Sequence, residues 1–457
     1  MRAMSVYKAY DIRGTYPDQI DEARAKRIGA ALARFLDARR LVVGRDMRTM
    51  APAITDALCA GIMEQGCEVV DIGVVSTPVL YHAIGTIACD GGVMVTASHN
   101  PKQYIGFKMC RSGPAPISGD SGIKDIERLA EGPAADLAPR AGVQPGRREP
   151  VDVVGSYLDE IVALVGGPDA IPAQRIVVDY ANGAGICEGP LAFARFPALE
   201  VVPLFDELDG TFPNHEANPL VESNLDALRE RVRSEGASLG LAFDGDADRC
   251  AFVDRDGRTV GADIVTAILV PALLRRKPGA GVLYDLRSSR IVPETITSHG
   301  GRPLRERVGH SFMKETMKRE GAIGGGELSG HFYFAEYHNS DNGLLAGLMV
   351  LAELGRQGTD LEAAAASKRV YFQSGEINFQ VEDKVGALQR IAERFQDGEV
   401  DRLDGIMVQY PDWWVNVRPS NTEPFLRLVM EAESEALLAE KRAVLVSMLG
   451  TPVTGGH

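Results

Sequence analysis

Three carboxylates alternate in the stretch SLGLAFDGDADRCAFVD: Asp244, Asp246 and Asp248, with Gly245 and Ala247 between them. Clustered oxygen ligands suit a hard cation such as Mg2+. Left alone they repel, since two unit charges 4 Å apart cost about 4 kcal/mol at an effective dielectric of 20. A divalent cation is the simplest relief. The loop is no EF-hand, because Arg249 stands at its sixth position and Arg255 at its twelfth, where glycine and glutamate are required. Arg249 would set a cation beside the metal, where a phosphate oxygen can approach. A solvated acidic turn is the plain alternative, and the apolar runs on both sides argue against it.

A second loop follows Val93, Met94 and Val95 in VMVTASHNPKQYIGFK. The apolar run predicts a buried strand, and Asn100-Pro101 predicts the turn that ends it. Ser98 and His99 then lie where a strand of an α/β sheet gives way to loop, the place where such sheets bind ligands. No G-x-S-x-G elbow surrounds Ser98, which argues against a hydrolase nucleophile. If strand geometry persists, the side chains of Ser98 and His99 diverge and His99 is a poor base for Ser98.

In AIGGGELSGHFYF, a glycine turn precedes Glu327, Ser329 and His331, which face one way if that segment is extended. Together they offer donors and acceptors for sugar hydroxyls. In NVRPSNTEPFLR, Arg418 leaves a strand and Ser420, Asn421 and Thr422 follow. An arginine with small polar donors on a loop makes a phosphate cradle. A Ser/Asn turn with a solvated arginine is the alternative. Other basic residues sit in expected loops: Arg13 in YDIRG, Arg45 and Arg48 in VGRDMR, Lys108, and Arg287 in DLRSSR. Taken one at a time, each reads as a surface charge, and so does His310 in RVGHSF.

The chain that must position these loops has 457 residues, enough for three or four domains. Its 25% charged and 45% hydrophobic residues are ordinary for a globular protein with a large core. A net charge of −14 opposes general nucleic-acid binding, though a local basic cleft can still take an anion. Six cysteines without a C-x-x-C pair indicate neither a zinc ribbon nor a redox dithiol, and fit a reducing compartment. No signal-peptide core and no stretch of membrane-spanning length stand out, so the expected location is the cytoplasm.

Strand-like and helix-like runs alternate to about residue 365. RLVVGRDMR, RIVVDYANG and GVLYDLRSS each run an apolar strand into an acid and a polar loop, a weak repeat that hints at three similar α/β domains. The first is followed by a predicted helix with Ile54, Leu58 and Ile62 at helical spacing. The Pro- and Gly-rich stretch 131–150 predicts a linker or long loop, and Asp256-Gly257 a hairpin turn. The tail, with three strand-like runs after EINFQVE and a final helix, predicts a smaller α+β domain.

With these loops in order, YDIRG, VGRDMR, TASHNP, DGDADR, GGELSGH and RPSNTEP, the chain resembles the α-D-phosphohexomutase family, in its bacterial phosphomannomutase/phosphoglucomutase branch. The resemblance spans essentially the whole chain. It implies three similar α/β domains with mixed sheets at residues 1–145, 146–253 and 254–368, and a C-terminal α+β domain at 369–457, around a central cleft. It implies an enzyme that interconverts hexose 1-phosphate and hexose 6-phosphate through phosphorylated Ser98 and a hexose 1,6-bisphosphate. It implies Mg2+ held by Asp244, Asp246, Asp248 and the group on Ser98. His99, Lys108, Arg249, His310 and His331 would line the reaction centre. Tyr10, Arg13, Arg287, Glu327, Ser329, Arg418, Ser420, Asn421 and Thr422 would bind the phosphosugar. A monomer is expected, with a dimer as the alternative, and neither nucleic acid nor membrane as partner. Phosphoglucosamine mutase is the rival within the family, and a metal-dependent serine phosphatase the rival outside it.

Overall fold

The computed structural model describes residues 5–139, 142–420 and 425–453, and three of its four sheets repeat one plan. The middle strand is Arg40–Arg45 in the first, Gln174–Asp179 in the second and Gly281–Asp285 in the third. On one side it pairs parallel with the next strand of the plan, Glu68–Val74, Leu199–Leu204 or Arg302–Glu306. On the other it pairs parallel with Gly91–Val95, Leu239–Phe243 or Gly324–Gly326. That strand turns back into an antiparallel partner, Tyr104–Arg111, Cys250–Asp254 or Phe332–Phe334. Parallel neighbours need crossovers, which helices such as Ala51–Glu64 and Thr77–Thr86 provide.

The turn into the antiparallel strand lies at the carboxyl end of a parallel one, where open α/β sheets bind ligands. It carries Ser98 in the first sheet, Asp244, Asp246 and Asp248 in the second, and Glu327 to His331 in the third. The weak sequence repeat is therefore a repeat of topology that puts three different chemistries in equivalent places. The shared acid has its own reason. Asp46, Asp179 and Asp285 are fully buried, and one oxygen of each accepts a hydrogen bond from the N–H two residues on: Arg48 (3.0 Å), Ala181 (2.8 Å) and Arg287 (2.8 Å). Aspartate closes such a turn with its own side chain.

Two sheet edges fall outside the expected boundaries. Arg148–Pro150 pairs parallel with Glu68–Val74, so the stretch read as linker ends as an edge strand of the first sheet. An edge tolerates Pro150, whose missing N–H faces away from any ladder. Thr259–Val260 folds back on Cys250–Asp254 through the Asp256-Gly257 turn, so the second sheet extends past residue 253. The fourth sheet is built on the antiparallel strands Ile406–Gln409, Trp413–Pro419 and Phe425–Ala432, backed by the helices Lys384–Arg394 and Glu435–Leu449. One apolar core runs through the first three domains, joining Met94, Tyr157, Leu241 and Leu345. The fourth has a core of its own around Phe379, Ile391, Trp413 and Leu428.

One contact between the first two domains makes stability depend on pH. Glu188 is buried, and its Oε2 has no hydrogen-bond partner among the described residues. Burial pushes its carboxyl up to about 7, against hydrogen bonds from Ser76 that pull it down. Between the ordinary value of 4.5 and that point, the folded chain keeps a proton that the unfolded chain releases. Stability therefore falls as pH rises through this window, and above it the loss is complete. At about 1.36 kcal/mol per unit, the loss reaches about 3 kcal/mol. Glu188→Gln stays neutral, so its urea midpoint should exceed that of the unsubstituted protein near pH 8 and nearly match it near pH 5. An equal offset at both pH values would contradict this account.

Candidate active site

Ser98 lies just past the Gly91–Val95 strand with φ +52°, in the left-handed region. Its N–H donates to Thr96 Oγ1 (2.9 Å) and its hydroxyl donates to Asp244 Oδ2 (2.8 Å). Strand geometry does not persist here, and the expected divergence of Ser98 and His99 fails for that reason. The turn brings His99 Nδ1 to 3.4 Å from Ser98 Oγ. A non-glycine residue held in this region costs about 1–3 kcal/mol, so its surroundings must over-determine it. Arg48 does so. Its guanidinium donates to the carbonyls of Ser98 (2.8 Å), Asn100 (2.6 Å), Pro101 (2.8 Å) and Tyr104 (3.0 Å), and to Asp46 Oδ2 (3.1 Å). Read alone as a surface charge, Arg48 is fully buried because it supplies donors to a loop that has no ladder of its own. Arg45 is half-buried.

Gly245 lets the second loop touch the first, since a Cβ there would stand 2.5 Å from the Ser98 carbonyl oxygen. Asp244, Asp246 and Asp248 are buried and offer oxygens within 4.8 Å of one another. Asp246 Oδ1 is buried without a hydrogen-bond partner among the described residues, and Asp248 Oδ1 has His331 Nε2 at 3.3 Å. Oxygen-only ligands with an orphaned acceptor fit Mg2+. Lys108, a surface charge when read alone, is buried and donates to Asp246 (2.6 Å) and to Asp248. Burial would lower its pKa, but the three aspartates outweigh burial and raise it, so the ammonium persists. Burial first, then repulsion from Asp246 and Asp248, pushes the Asp244 carboxyl well up. Arg249 donates its N–H to Asp244 Oδ1 (3.2 Å), and Thr77 donates its hydroxyl to Asp246 (2.5 Å).

The third loop is a tight turn, not the extended segment whose alternation would align Glu327, Ser329 and His331. Gly330, at φ +84°, reverses the chain instead. The three still converge: Ser329 Oγ is 3.0 Å and Glu327 Oε2 3.7 Å from His331 Nδ1. His331 Nε2 stands 3.3 Å from Asp248 Oδ1, and residues 249 and 331 form a β-bridge between the second and third domains. Glu327 accepts from Gly309 N–H (2.9 Å) and from the Tyr333 hydroxyl. The His310 ring lies 5.9 Å from that of His331 and 5.6 Å from that of Tyr10, whose hydroxyl donates to Val308 O (3.0 Å). Burial, then Lys314 and His331, holds the His310 imidazole well below its usual pKa. Arg13 pairs with Asp11 and donates to Asn100.

From this turn the polar contacts lead on to the fourth domain. Leu328 N–H donates to Asp285 Oδ2 (2.8 Å), and Asp285 also binds Arg287 through Nη2 (2.7 Å). Arg287 is buried by that pairing rather than exposed, and its Nη1 lies 3.8 Å from Glu376. Arg418 and Arg427 stand directly opposite each other on paired strands. Like charges so placed destabilise a sheet unless an anion joins them. Glu376 is that anion, 2.9 Å from each guanidinium. Burial, then Arg287, pulls the Arg418 pKa down, so a further anion is favoured there. Ser420 N–H donates to Phe425 O (2.9 Å), while Asn421 and Thr422 lie outside the described residues. Sequence reasoning missed Arg48, Thr77, Asp285, Glu376 and Arg427. The arginine on each side of the 418–427 loop was the one available signal.

The site thus joins a serine hydrogen-bonded to a carboxylate trio in the first two domains to an arginine cluster around Glu376 in the fourth. Models of all four domains of the phosphoglucomutase/phosphomannomutase family match: domain I at 4–135, II at 156–257, III at 262–371 and the C-terminal domain at 376–447. The chain belongs to this family and is a phosphotransferase of the mutase type. Over 97% of its length it is 37% identical to a phosphomannomutase of Escherichia coli K12, covering 98% of that protein. It is 38% identical over 98% of its length to a protein of Xanthomonas campestris named phosphohexose mutases, covering 99% of it. Its fold matches a phosphoglucomutase/phosphomannomutase family protein of Burkholderia thailandensis with TM-score 0.86 at 33% identity, each chain covered to 99%. Among the described residues, no helix is long and apolar enough to cross a membrane.

Proposed function

We propose that the chain interconverts hexose 1-phosphate and hexose 6-phosphate, with mannose and glucose as the sugars, through a phosphoserine at Ser98. The observation that carries this reading is the hydrogen bond from Ser98 to Asp244, which joins a carrier hydroxyl to a metal-type carboxylate trio. The unreacting phosphate of the sugar sits at Arg418, Arg427 and Arg287. The free 6-hydroxyl faces Ser98, the P–Oγ bond breaks, and a bond from that phosphorus to the sugar oxygen forms. The hydroxyl proton passes to a neutral imidazole, with His310, which burial keeps unprotonated, as the candidate, and a proton is delivered to the freed Ser98 Oγ so that the serine returns to its hydroxyl form. Hexose 1,6-bisphosphate results, reorients, and returns its other phosphoryl group to Ser98. Asp244, Asp246 and Asp248 would hold Mg2+, which neutralises phosphoryl charge when bound. Lys108, held protonated, adds fixed positive charge. Glu327 orients Gly309 and the loop before His310, and Ser329 and His331 meet the sugar. The separate core of the fourth domain suits closure over the substrate, which keeps water from the phosphoserine.

A coupled assay comparing mannose, glucose and glucosamine 1-phosphates, with and without a hexose 1,6-bisphosphate primer, tests this reading. Hexose 6-phosphate should form from mannose and glucose substrates without steady release of inorganic phosphate. Steady phosphate release would point to a phosphatase, and a preference for the glucosamine substrate would overturn the sugar assignment. Arg418→Ala should lower kcat/KM by about 10- to 150-fold, the 1.5–3 kcal/mol of a charge-assisted hydrogen bond. Steady-state kinetics would expose a smaller effect and remove Arg418 from the clamp.

A further inference from the structure

The first three domains meet at a second cluster of metal-binding groups, remote in sequence from the aspartate loop. His82 lies on the helix Thr77–Thr86 of the first domain and Glu160 on the helix Val154–Val165 of the second. His338 lies in the loop before the strand Ser340–Asp341 of the third. His82 Nδ1 is 2.6 Å from Glu160 Oε2, and His338 Nε2 is 3.2 Å from Glu160 Oε1. One ligand atom from each residue falls within 4.8 Å of the other two. One carboxylate thus stands between two imidazoles contributed by two other domains.

Three further features show that this junction is built. His338 and Asn339 both adopt left-handed backbone, φ +52° and +55°, a strained pair that aims the His338 ring inward. The ring rests on the backbone of Gly85, where a Cβ would stand 2.4 Å from Nδ1 and push the ring aside. The other nitrogen of His82, Nε2, lies 2.8 Å from Ser156 Oγ, and that hydroxyl is 2.9 Å from Val153 O. With the Ser156 hydroxyl donating to Val153 O, His82 Nε2–H can donate to Ser156 Oγ, which leaves Nδ1 turned to Glu160. Metal-binding histidines are held this way, by a partner on the nitrogen that does not ligate.

We propose that His82 Nδ1, His338 Nε2 and Glu160 form a site for Zn2+, or a similar borderline divalent ion, that staples the first three domains together. Two imidazoles and one carboxylate suit zinc with a fourth position open to water. They do not suit Mg2+, which takes oxygen ligands, so the two clusters sort their ions by donor type. A bound ion would sit between the imidazoles and Glu160, where short polar contacts now join them. The staple joins the first three domains and leaves the fourth outside.

The test measures Zn2+ bound by the full chain in excess Mg2+, by calorimetry and by metal analysis after dialysis. One Zn2+ per chain is expected. Removing a ligand in His338→Ala or Glu160→Gln should weaken affinity by more than about 100-fold, and Ser156→Ala by about 10-fold. The variants should keep their Mg2+-dependent turnover, which shows that they fold. Cobalt on the unsubstituted protein supplies a readout that needs no variant: the intense visible absorption of a tetrahedral site is expected. A weak octahedral spectrum, no Zn2+ retained, or equal retention by His338→Ala would overturn the site and leave a hydrogen-bonded junction.

Discussion

Ser98→Ala is expected to lower kcat by a factor on the order of 10⁵, about 7 kcal/mol of transition-state stabilisation, as for loss of other covalent nucleophiles. The variant keeps the clamp at Arg418 and the turn at His331, so KM for the sugar phosphate should stay within about threefold. What disappears is the only hydroxyl that donates to the aspartate trio from the Arg48-bound loop. Neither His99 nor water can stand in, because the loop backbone is fixed by the Arg48 guanidinium and returns any substitute to the same place. Alanine takes left-handed backbone about as readily as serine, and Arg249 N–H still donates to Asp244, so the fold should survive. Kinetics and intact mass check this together: turnover falls, and a phosphate adduct seen on the unsubstituted protein is absent. Turnover near normal in Ser98→Ala would end the phosphoserine reading.

The residues that act through their neighbours in sequence were legible, and those that act across domains were not. Asp244, Asp246 and Asp248 announce themselves because three anions in five residues have no cheap structural use. The strand before Ser98 and the turn after it were legible from Val93–Val95 and Asn100-Pro101. The conformation at Ser98 was not, because its φ is imposed by Arg48, fifty positions earlier, and by the close approach of Gly245. Arg48, Lys108 and Arg287 read as surface charges because their burial is not visible in the sequence: Arg48 and Arg287 pair with acids two residues before them, Asp46 and Asp285, and Lys108 with Asp246 of another domain. The repeat was visible as three apolar strands ending in an acid. Its meaning, three equivalent turns that face one centre, depends on strand pairing, which a chain without register information does not display. Glu376 gave no signal, since a lone glutamate before a strand has many roles and two arginines opposite each other are known only from the sheet.

Arg48→Met should destabilise the protein by about 3–5 kcal/mol, the cost of breaking a buried ion pair from one side. Methionine roughly fills the volume but leaves Asp46 charged, fully buried and without its partner, and leaves four carbonyls without their donor. Burial already raises the Asp46 pKa, with Arg48 opposing it, so removing Arg48 lets it rise further. The sign follows: a carboxyl raised in the folded state loses stability as pH increases, so the deficit of Arg48→Met should shrink toward acid pH. Adding Asp46→Asn removes the stranded charge and should recover part of the stability. It cannot recover turnover, because the Ser98, Asn100, Pro101 and Tyr104 carbonyls still lack the guanidinium that shapes the loop. Urea denaturation and kinetics on the single and double variants separate the two effects. If the double variant regained turnover along with stability, Arg48 would serve the fold alone, and the conformation of the Ser98 loop would need another cause.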